Sequence, residues 1–361
     1  MPLIGLLIPV DSYGDIVLTF TYVVILMSVG QLGQNRTILR FEGIKFATFE
    51  TSSAIALLSS IIIAGIAVKI LEIHSLVIFA VVFIVYLNLL YSKCRVDNNI
   101  VAFSILKLSY PILKLLSFFA LMFFADLNLS IGYVIAEIFS SFISVLVGIR
   151  FIKFKKAFNK IEVPLFMKFG IPVFFQTILL HVIQYGDKIF VSSYFGKIVL
   201  ANYFFVSIFC TCVVFLFSYF SQKYEVIIYR AKNWNEAKRR TTNYLIKCLM
   251  SGFAFFPIAL LSYLIAVQVN GDYDINYRLM LLMYASSLLG AFTNSYFYLI
   301  GYLNKNSLII KYSLFLCLLY VTFIFTGVEQ LGIYVMPAAN IFATLVSLIV
   351  FSRLITTLRQ K

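Results

Sequence analysis

Lys107 and Lys114 stand seven residues apart inside an apolar run, on one face of a helix, with Tyr110 and Pro111 between them. A charge at the centre of a hydrocarbon-embedded helix costs about 2.5 to 3.5 kcal/mol, so it needs a wet cavity or a partner. Lys107 is near enough to the end of the run to snorkel. Lys114 lies near mid-depth and is expected to face a cavity or to pair with Glu137 on the next helix. Glu137 reads either as that structural partner or as a titrating carboxylate that couples or gates. Arg36 and Arg40, four apart at the end of the first apolar run, share a face if the helix continues there. Two guanidinium forks so spaced can grip a diphosphate bidentately, or serve simply as positive charge at a cytoplasmic end.

A second set lies between residues 166 and 190. Taking 100° per residue, Gln176, Thr177, His181, Gln184, Asp187 and Lys188 fall within an arc of about 140°, so one face is wet or packs on polar groups. Asp187-Lys188 is expected to gate or to form an interfacial ion pair, and Pro172 predicts a bend. Further on, Asn294 and Ser295 stand among Tyr296, Tyr298 and Tyr302, which supply hydrogen-bonding groups and stacking faces. Other chemical vocabulary is sparse. His74 and His181 have no second ligand at metal spacing, so no metal is expected. No P-loop or glycine-rich phosphate cradle is present, so no nucleotide or other cofactor is expected and the chain does not read as an enzyme. The five cysteines form no pair in an outward loop and read as packing residues.

The elements that must position these side chains are membrane helices. Apolar residues make up 62% of the chain and charged ones 12%, against roughly 45 to 50% and roughly 25% in soluble domains. Mean hydropathy is +0.97. Strand-length alternation is absent, so a barrel is excluded, and runs of about 20 apolar residues match a helix crossing about 30 Å of hydrocarbon. Runs bounded by charge place spans near 14–33, 51–71, 75–91, 107–125, 130–149, 166–190, 197–220, 242–267, 277–302, 308–327 and 330–353. The predicted fold is thus an all-α polytopic bundle of about eleven full transmembrane helices.

The bundle is duplicated. Gly14-Asp15-Ile16-Val17-Leu18 recurs as Gly196-Lys197-Ile198-Val199-Leu200, each copy after an aromatic (Tyr13, Phe195) and before a long apolar run. The first five spans pair in order with the last five, giving two pseudo-symmetric lobes, 1–160 and 161–361, related by an axis along the membrane normal. The sixth span has no full partner. Only Met1–Val10 stands where that partner belongs, so an N-terminal half helix is expected, with about twenty residues of opening helix missing from a late start or a truncation.

Arginine and lysine set the orientation. Arg36, Arg40 and Lys45, then Lys93 and Arg95, then Arg150 to Lys160, Lys223 to Arg240, Lys305 and Lys311, and Arg353 to Lys361 fall in alternate loops, which are cytoplasmic. The other loops, with Glu72 and His74, Asp126, Lys197, Asp272, Asp274 and Arg278, and Glu329, are short and mostly acidic or neutral, and face out. The net charge of +14 is therefore one-sided and answers to topology and anionic lipid, not to nucleic acid. Lys223 to Arg240, with the only tryptophan, Trp234, reads as an amphipathic helix lying on the inner surface.

Tyr13-Gly14 opening a span that ends in Arg40-Phe41, Phe169-Gly170-Ile171-Pro172 leading to Asp187-Lys188, and Phe195-Gly196 before the next span resemble the polysaccharide flippase branch of the multidrug/oligosaccharidyl-lipid/polysaccharide exporter superfamily, and most of all O-antigen flippases. The resemblance covers essentially the whole chain. It implies twelve helices in two lobes of six around a cationic cavity, in the bacterial inner membrane. The implied activity moves undecaprenyl diphosphate-linked oligosaccharide to the periplasmic leaflet by alternating access. An O-antigen polymerase and a chain-length regulator are the implied protein partners. The sequence departs by lacking most of the first helix and any charge carried on it. On this reading Arg36, Arg40, Lys107, Lys114, Gln176 and Asn294 bind substrate, and Glu137, Asp187 and Lys188 couple or gate. Two rival readings are a cation-coupled multidrug antiporter of the same fold, which favours acidic cavity residues, and an O-antigen polymerase, which needs a large outward catalytic loop that the spans do not leave room for.

Overall fold

A computed structural model describes residues 2–41, 48–125, 127–152, 159–229, 231–273, 275–303 and 306–359. Among them are eleven helices of 21 to 36 residues, α2 (Val10–Gly30), α4 (Thr48–Leu71), α5 (Leu76–Val96), α6 (Ile100–Phe124), α7 (Leu129–Phe151), α8 (Val163–Phe195), α9 (Lys197–Tyr229), α10 (Trp234–Val269), α11 (Tyr277–Tyr302), α12 (Asn306–Leu331) and α13 (Val335–Arg359), with two short ones, α1 (Pro2–Gly5) and α3 (Gln34–Phe41). No strand occurs among the described residues.

By length and composition, eight described segments are apolar enough to cross a membrane, or nine with the bent pair Lys160–Lys168 and Gly170–Phe195. That count runs α12 and α13 together as Ser307–Arg353. Yet Tyr312 and Phe351 touch with ring centroids 4.7 Å apart, so these two helices fold back on each other through the turn Gly332–Tyr334. α11 falls outside the count because Ser286, Ser287, Thr293, Asn294 and Ser295 dilute its apolar content. The chain is a polytopic all-α membrane bundle.

Local chemistry explains the boundaries. Asn99, Asn128 and Asn233 each cap a helix, their side-chain oxygens accepting from Ala102 N, Ser130 N and Glu236 N. α2 starts four residues before the expected span because Pro9 stands just ahead of its first turn and Asp11 sits within that turn, where a carboxylate is favoured. At its inner end α2 stops. Leu32 and Gly33 take φ of 46° and 69°, the left-handed geometry of a helix C-terminus. The first span therefore does not continue to Arg40, and both arginines ride on the separate helix α3.

The duplication is visible in the packing. α9 contacts α10 and α11, whereas the equivalent contacts to α4 and α5 come from α3; α4–α5, α5–α7 and α6–α7 repeat as α10–α11, α11–α13 and α12–α13. The continuous α9 thus corresponds to α2 and α3 joined, and the Gln31–Gly33 break belongs to the first copy alone. The segment 223–240 also differs from expectation. It forms the inner ends of α9 and α10 and the turn between them, not a separate surface helix, because Asn233 and Glu236 start α10 at once. At 1.5 Å per residue, helices of 33 and 36 residues outreach the roughly 30 Å hydrocarbon layer, so those ends protrude.

By packing, the chain groups into two compact units, residues 18–181 (the first unit here) and residues 1–17 with 182–361 (the second). In the first, Val77, Val81, Val85, Leu89 and Leu90 of α5 form the centre of a core that also takes in α4, α6 and α7. In the second, α1 is held by its Gly5 carbonyl, which accepts from Asn270 Nδ2 at 3.2 Å and from the Tyr273 hydroxyl at 2.9 Å.

Candidate functional site

In the first unit Lys114 and Glu137 meet. The Lys114 ammonium lies 2.6 Å from Glu137 Oε2 and donates to the Tyr133 hydroxyl at 2.6 Å, while the Tyr110 hydroxyl donates to Glu137 Oε1. Lys114 is further enclosed by rings, 4.6 Å from the Tyr133 centroid and 5.7 Å from that of Phe20. Glu137 is buried and Lys114 half-buried. A buried carboxylate paired with an ammonium and hydrogen-bonded on its other oxygen is the arrangement that makes such burial tolerable. The two residues sit on adjacent helices, α6 and α7, that pack along their length, which is why a mid-depth lysine finds a carboxylate there.

Next to this pair is a cavity of about 300 Å³ between α2, α5, α6 and α7. Its wall includes the polar side chains of Glu137, Tyr110, Asn88, Tyr91 and Lys107 among the apolar ones of Val23, Met27 and Leu87. The Lys107 ammonium is 4.2 Å from the centre of the Tyr91 ring, a cation-π contact, and among the described residues it meets no carboxylate. Pro111, also in the wall, has no N–H to give the Lys107 carbonyl, which opens the helix at that turn.

Arg36 and Gln176 also come together. Arg36 Nη1 donates to Gln176 Oε1 at 3.3 Å, joining α3 to α8. The joint is tight. A Cβ on Gly170 would lie 2.5 Å from the Leu32 carbonyl oxygen, and one on Gly33 2.7 Å from the Gly170 carbonyl oxygen. Above this contact α8 bends by 43° around residue 169, where Pro172 denies the Lys168 carbonyl its donor. The Arg40 side chain lies outside the described residues, as do the loop charges Lys45, Asp126, Lys153, Lys155, Lys156, Asp274 and Lys305.

In the second unit the half-buried Asp187 pairs with the buried Lys188, whose ammonium is 2.9 Å from Asp187 Oδ1 and 3.0 Å from the Gln184 carbonyl oxygen. Tyr203 of α9 donates to Asp187 Oδ2 at 2.8 Å. Among the described residues, each unit thus holds a lysine–carboxylate pair clamped by tyrosine hydroxyl. Asn294 is half-buried on α11. Tyr298, expected to offer a stacking face, is buried with its ring against Tyr244 at 5.5 Å. His181 is bonded through Nδ1 to the Thr177 carbonyl oxygen at 2.8 Å.

Sequence reasoning missed the tyrosines. Tyr110, Tyr133 and Tyr203 complete both ion pairs; Tyr110 and Tyr133 stand one helical turn from Lys114 and Glu137 on the same helices, which was the available signal, whereas nothing in the spacing ties Tyr203 to Asp187 on the preceding helix. It also missed that the repeated segments touch. Asp15 and Lys197, equivalent positions of the two copies, pair at 2.5 Å, and the Gly14 backbone lies against the Lys197 carbonyl.

No family model and no curated protein matches the chain. Solved structures do. An inward-facing multidrug resistance MATE family transporter of the MOP superfamily superposes with a TM-score of 0.68 at 12% identity, over 98% of this chain and 94% of that one. A MOP superfamily transporter from Pyrococcus furiosus, reported with a binding pocket of reverse polarity, gives 0.64 at 13% identity over 97% and 89%. Lipid II flippase MurJ, in an inward closed conformation, gives 0.61 at 14% identity over 94% and 79%. The fold is that of the MOP transporters. At these identities the likeness shows the fold alone.

Proposed function

We propose that the chain is a flippase that carries undecaprenyl diphosphate-linked O-antigen or other polysaccharide repeat units from the cytoplasmic to the periplasmic leaflet of the bacterial inner membrane, by alternating access of two lobes divided near residue 160. One observation carries this reading. In the first unit's inner half, Arg36 faces a carboxamide and Lys107 faces a ring, so among the described residues neither cation is neutralised by a carboxylate. Both are exposed; cations with no carboxylate partner favour an anionic cargo, and a diphosphate offers two adjacent acceptor groups. Arg36, Arg40, Lys107, Lys114, Gln176 and Asn294 are the proposed substrate contacts. The clamped pairs Lys114–Glu137 and Asp187–Lys188 are the proposed coupling and gating elements. The likeness to a lipid II flippase supports the lipid-linked class of cargo, and a polymerase with a chain-length regulator would receive the product.

The likeness to MATE transporters favours a second reading, a cation-coupled multidrug-type antiporter. Against it, Glu137 is already paired with Lys114 and offers a drug cation no free carboxylate. Complementation of a flippase-deleted strain separates the two. Restored surface O-antigen, lost in Lys107→Ala and Arg36→Ala at normal protein levels, supports the flippase. Drug resistance without O-antigen supports the antiporter.

A further inference from the structure

We propose that residues 31–34 form a two-state joint, broken as seen here while α8 presses on it, and wound into one continuous helix from α2 through α3 when α8 withdraws. Only the part that Arg36 plays toward cargo rests on the flippase reading; the joint stands on backbone geometry.

The broken form carries two costs. Leu32 holds a left-handed φ of 46°, a region that residues with a Cβ avoid. Gln34 is fully buried, yet among the described residues its Oε1 accepts no hydrogen bond, and its Nε2 reaches the Leu32 carbonyl oxygen only at 3.4 Å. A buried acceptor left unpaired costs more than a typical hydrogen bond returns. What holds the break is α8. A Cβ on Gly170 would stand 2.5 Å from the Leu32 carbonyl oxygen and 2.6 Å from Gln34 Nε2, and one on Gly33 would stand 2.9 Å from Val173 Cβ. Across the same contact runs the Arg36–Gln176 hydrogen bond, 3.3 Å long and made by an exposed arginine.

The wound form has its partners in place. At the spacing that separates Gly14 from Gly196, Val213-Val214-Phe215-Leu216 stand where the first copy has Gln31-Leu32-Gly33-Gln34, and α9 runs through them unbroken. In the first copy the hydrogen bonds can be exchanged one for one. The Gly30 carbonyl now accepts from the Ser59 hydroxyl at 2.6 Å, and the Gln34 N–H donates to the Gln31 carbonyl at 2.9 Å. Winding returns the Gln34 N–H to the Gly30 carbonyl, four residues back. Ser59 loses nothing, because its hydroxyl already lies 2.8 Å and 3.1 Å from the Ile55 and Ala56 carbonyl oxygens. Acceptors that wait in both forms let the joint switch without stranding a buried group. Winding also turns α3 by 100° per residue gained, so Arg36 leaves Gln176 and becomes free to meet an anion.

The experiment uses the purified full chain in maltoside, with spin labels on ketone side chains incorporated at Tyr22 and Leu39, so that the native cysteines stay as they are. Double electron–electron resonance reads the distance across the joint. Along one straight helix the two positions stand about 26 Å apart, and the break gives a second, different distance. Wild type is expected to show the broken distance with a minor population at the straight one. Gly33→Ala disfavours the φ of 69° and favours helix, so it should raise the ratio of straight to broken at least tenfold. Leu32→Val should raise it at least threefold, because a β-branched residue avoids the left-handed region most strongly. Leu32→Gly should abolish the straight population. A shift toward the straight distance in either folded variant supports the joint. If both Gly33→Ala and Leu32→Val keep the wild-type distance, or neither folds, the break is a fixed elbow and the proposal is overturned. Complementation separates the joint from the cargo. A switching chain that restores no O-antigen leaves the joint standing and overturns the flippase reading, and a complementing chain with one fixed distance does the reverse.

Discussion

Replacing Lys114 with leucine should destabilise the first unit far more than replacing both Lys114 and Glu137. The carboxylate of Glu137 is 4% exposed and would lose the ammonium 2.6 Å away. Stranding one member of a buried ion pair costs about 3 to 5 kcal/mol. The Tyr110 hydroxyl still donates to Glu137, and a hydrogen bond to a charged group retains about 1.5 to 3 kcal/mol. The net cost expected for Lys114→Leu is therefore about 2 kcal/mol. Glu137→Leu should cost less, about 1 to 2 kcal/mol, because Lys114 is 17% exposed and keeps the Tyr133 hydroxyl at 2.6 Å. The double variant removes both charges and should return to within about 1 kcal/mol of wild type, since apolar replacements of a buried pair are often neutral. Unfolding of the four proteins in one detergent gives the coupling energy by a double-mutant cycle, with surface O-antigen measured in parallel. Effects that add to within about 0.5 kcal/mol would mean that the pair does not form. If the double variant recovers O-antigen as well as stability, the pair only holds the helices together and takes no part in transport.

Three further outcomes follow from the packing. Gly170→Ala should lower stability by about 1 to 3 kcal/mol, measured by thermal unfolding, because its Cβ would press on the Leu32 carbonyl oxygen, which cannot turn aside. Gly14→Ala should likewise cost more than Asp15→Ala: the glycine abuts the Lys197 backbone, whereas the Asp15–Lys197 pair is 41% and 54% exposed and worth about 0 to 1 kcal/mol. Equal losses would show that the ion pair, not the backbone approach, joins the two copies. At the start of α10, the Lys232 N–H and Arg240 hold the Glu236 carboxyl below its ordinary 4.5, so its capping contribution is full above that pH and is lost as pH falls through the lowered value. Amide exchange in the first turn of α10 should accelerate on acidification in wild type and be pH-independent, after correction for intrinsic rates, in Glu236→Gln.

The helix count was legible because hydrocarbon imposes a length and the charges between spans mark the ends. Each of the eleven expected spans corresponds to a long helix, and those that grew did so through caps such as Asn99 and Asn233 or through protruding inner ends such as those of α9 and α10. Lys114 and Glu137 were legible as a candidate pair because a charge in hydrocarbon demands a partner within a helix or two. What escaped is tertiary. The break at Leu32-Gly33 depends on backbone contact with Gly170, 137 residues on from Gly33, and no periodicity within α2 announces it. Arg36 meeting Gln176 depends on the same contact. The opposite charges at Asp15 and Lys197 stood in the repeat itself, yet their pairing requires knowing that the two copies touch.

The central claim is that the unneutralised cations of the first unit bind and move a lipid-linked diphosphate. The most direct measurement reconstitutes the full chain in proteoliposomes carrying undecaprenyl diphosphate-linked oligosaccharide and follows protection of the sugar from an added glycosidase. Wild type should equilibrate the lipid between leaflets at a rate that falls at least tenfold in Lys107→Ala and in Arg36→Ala and that weakens with salt. Equilibration unchanged in both variants, or equal for a neutral oligosaccharide-linked lipid, would contradict the account.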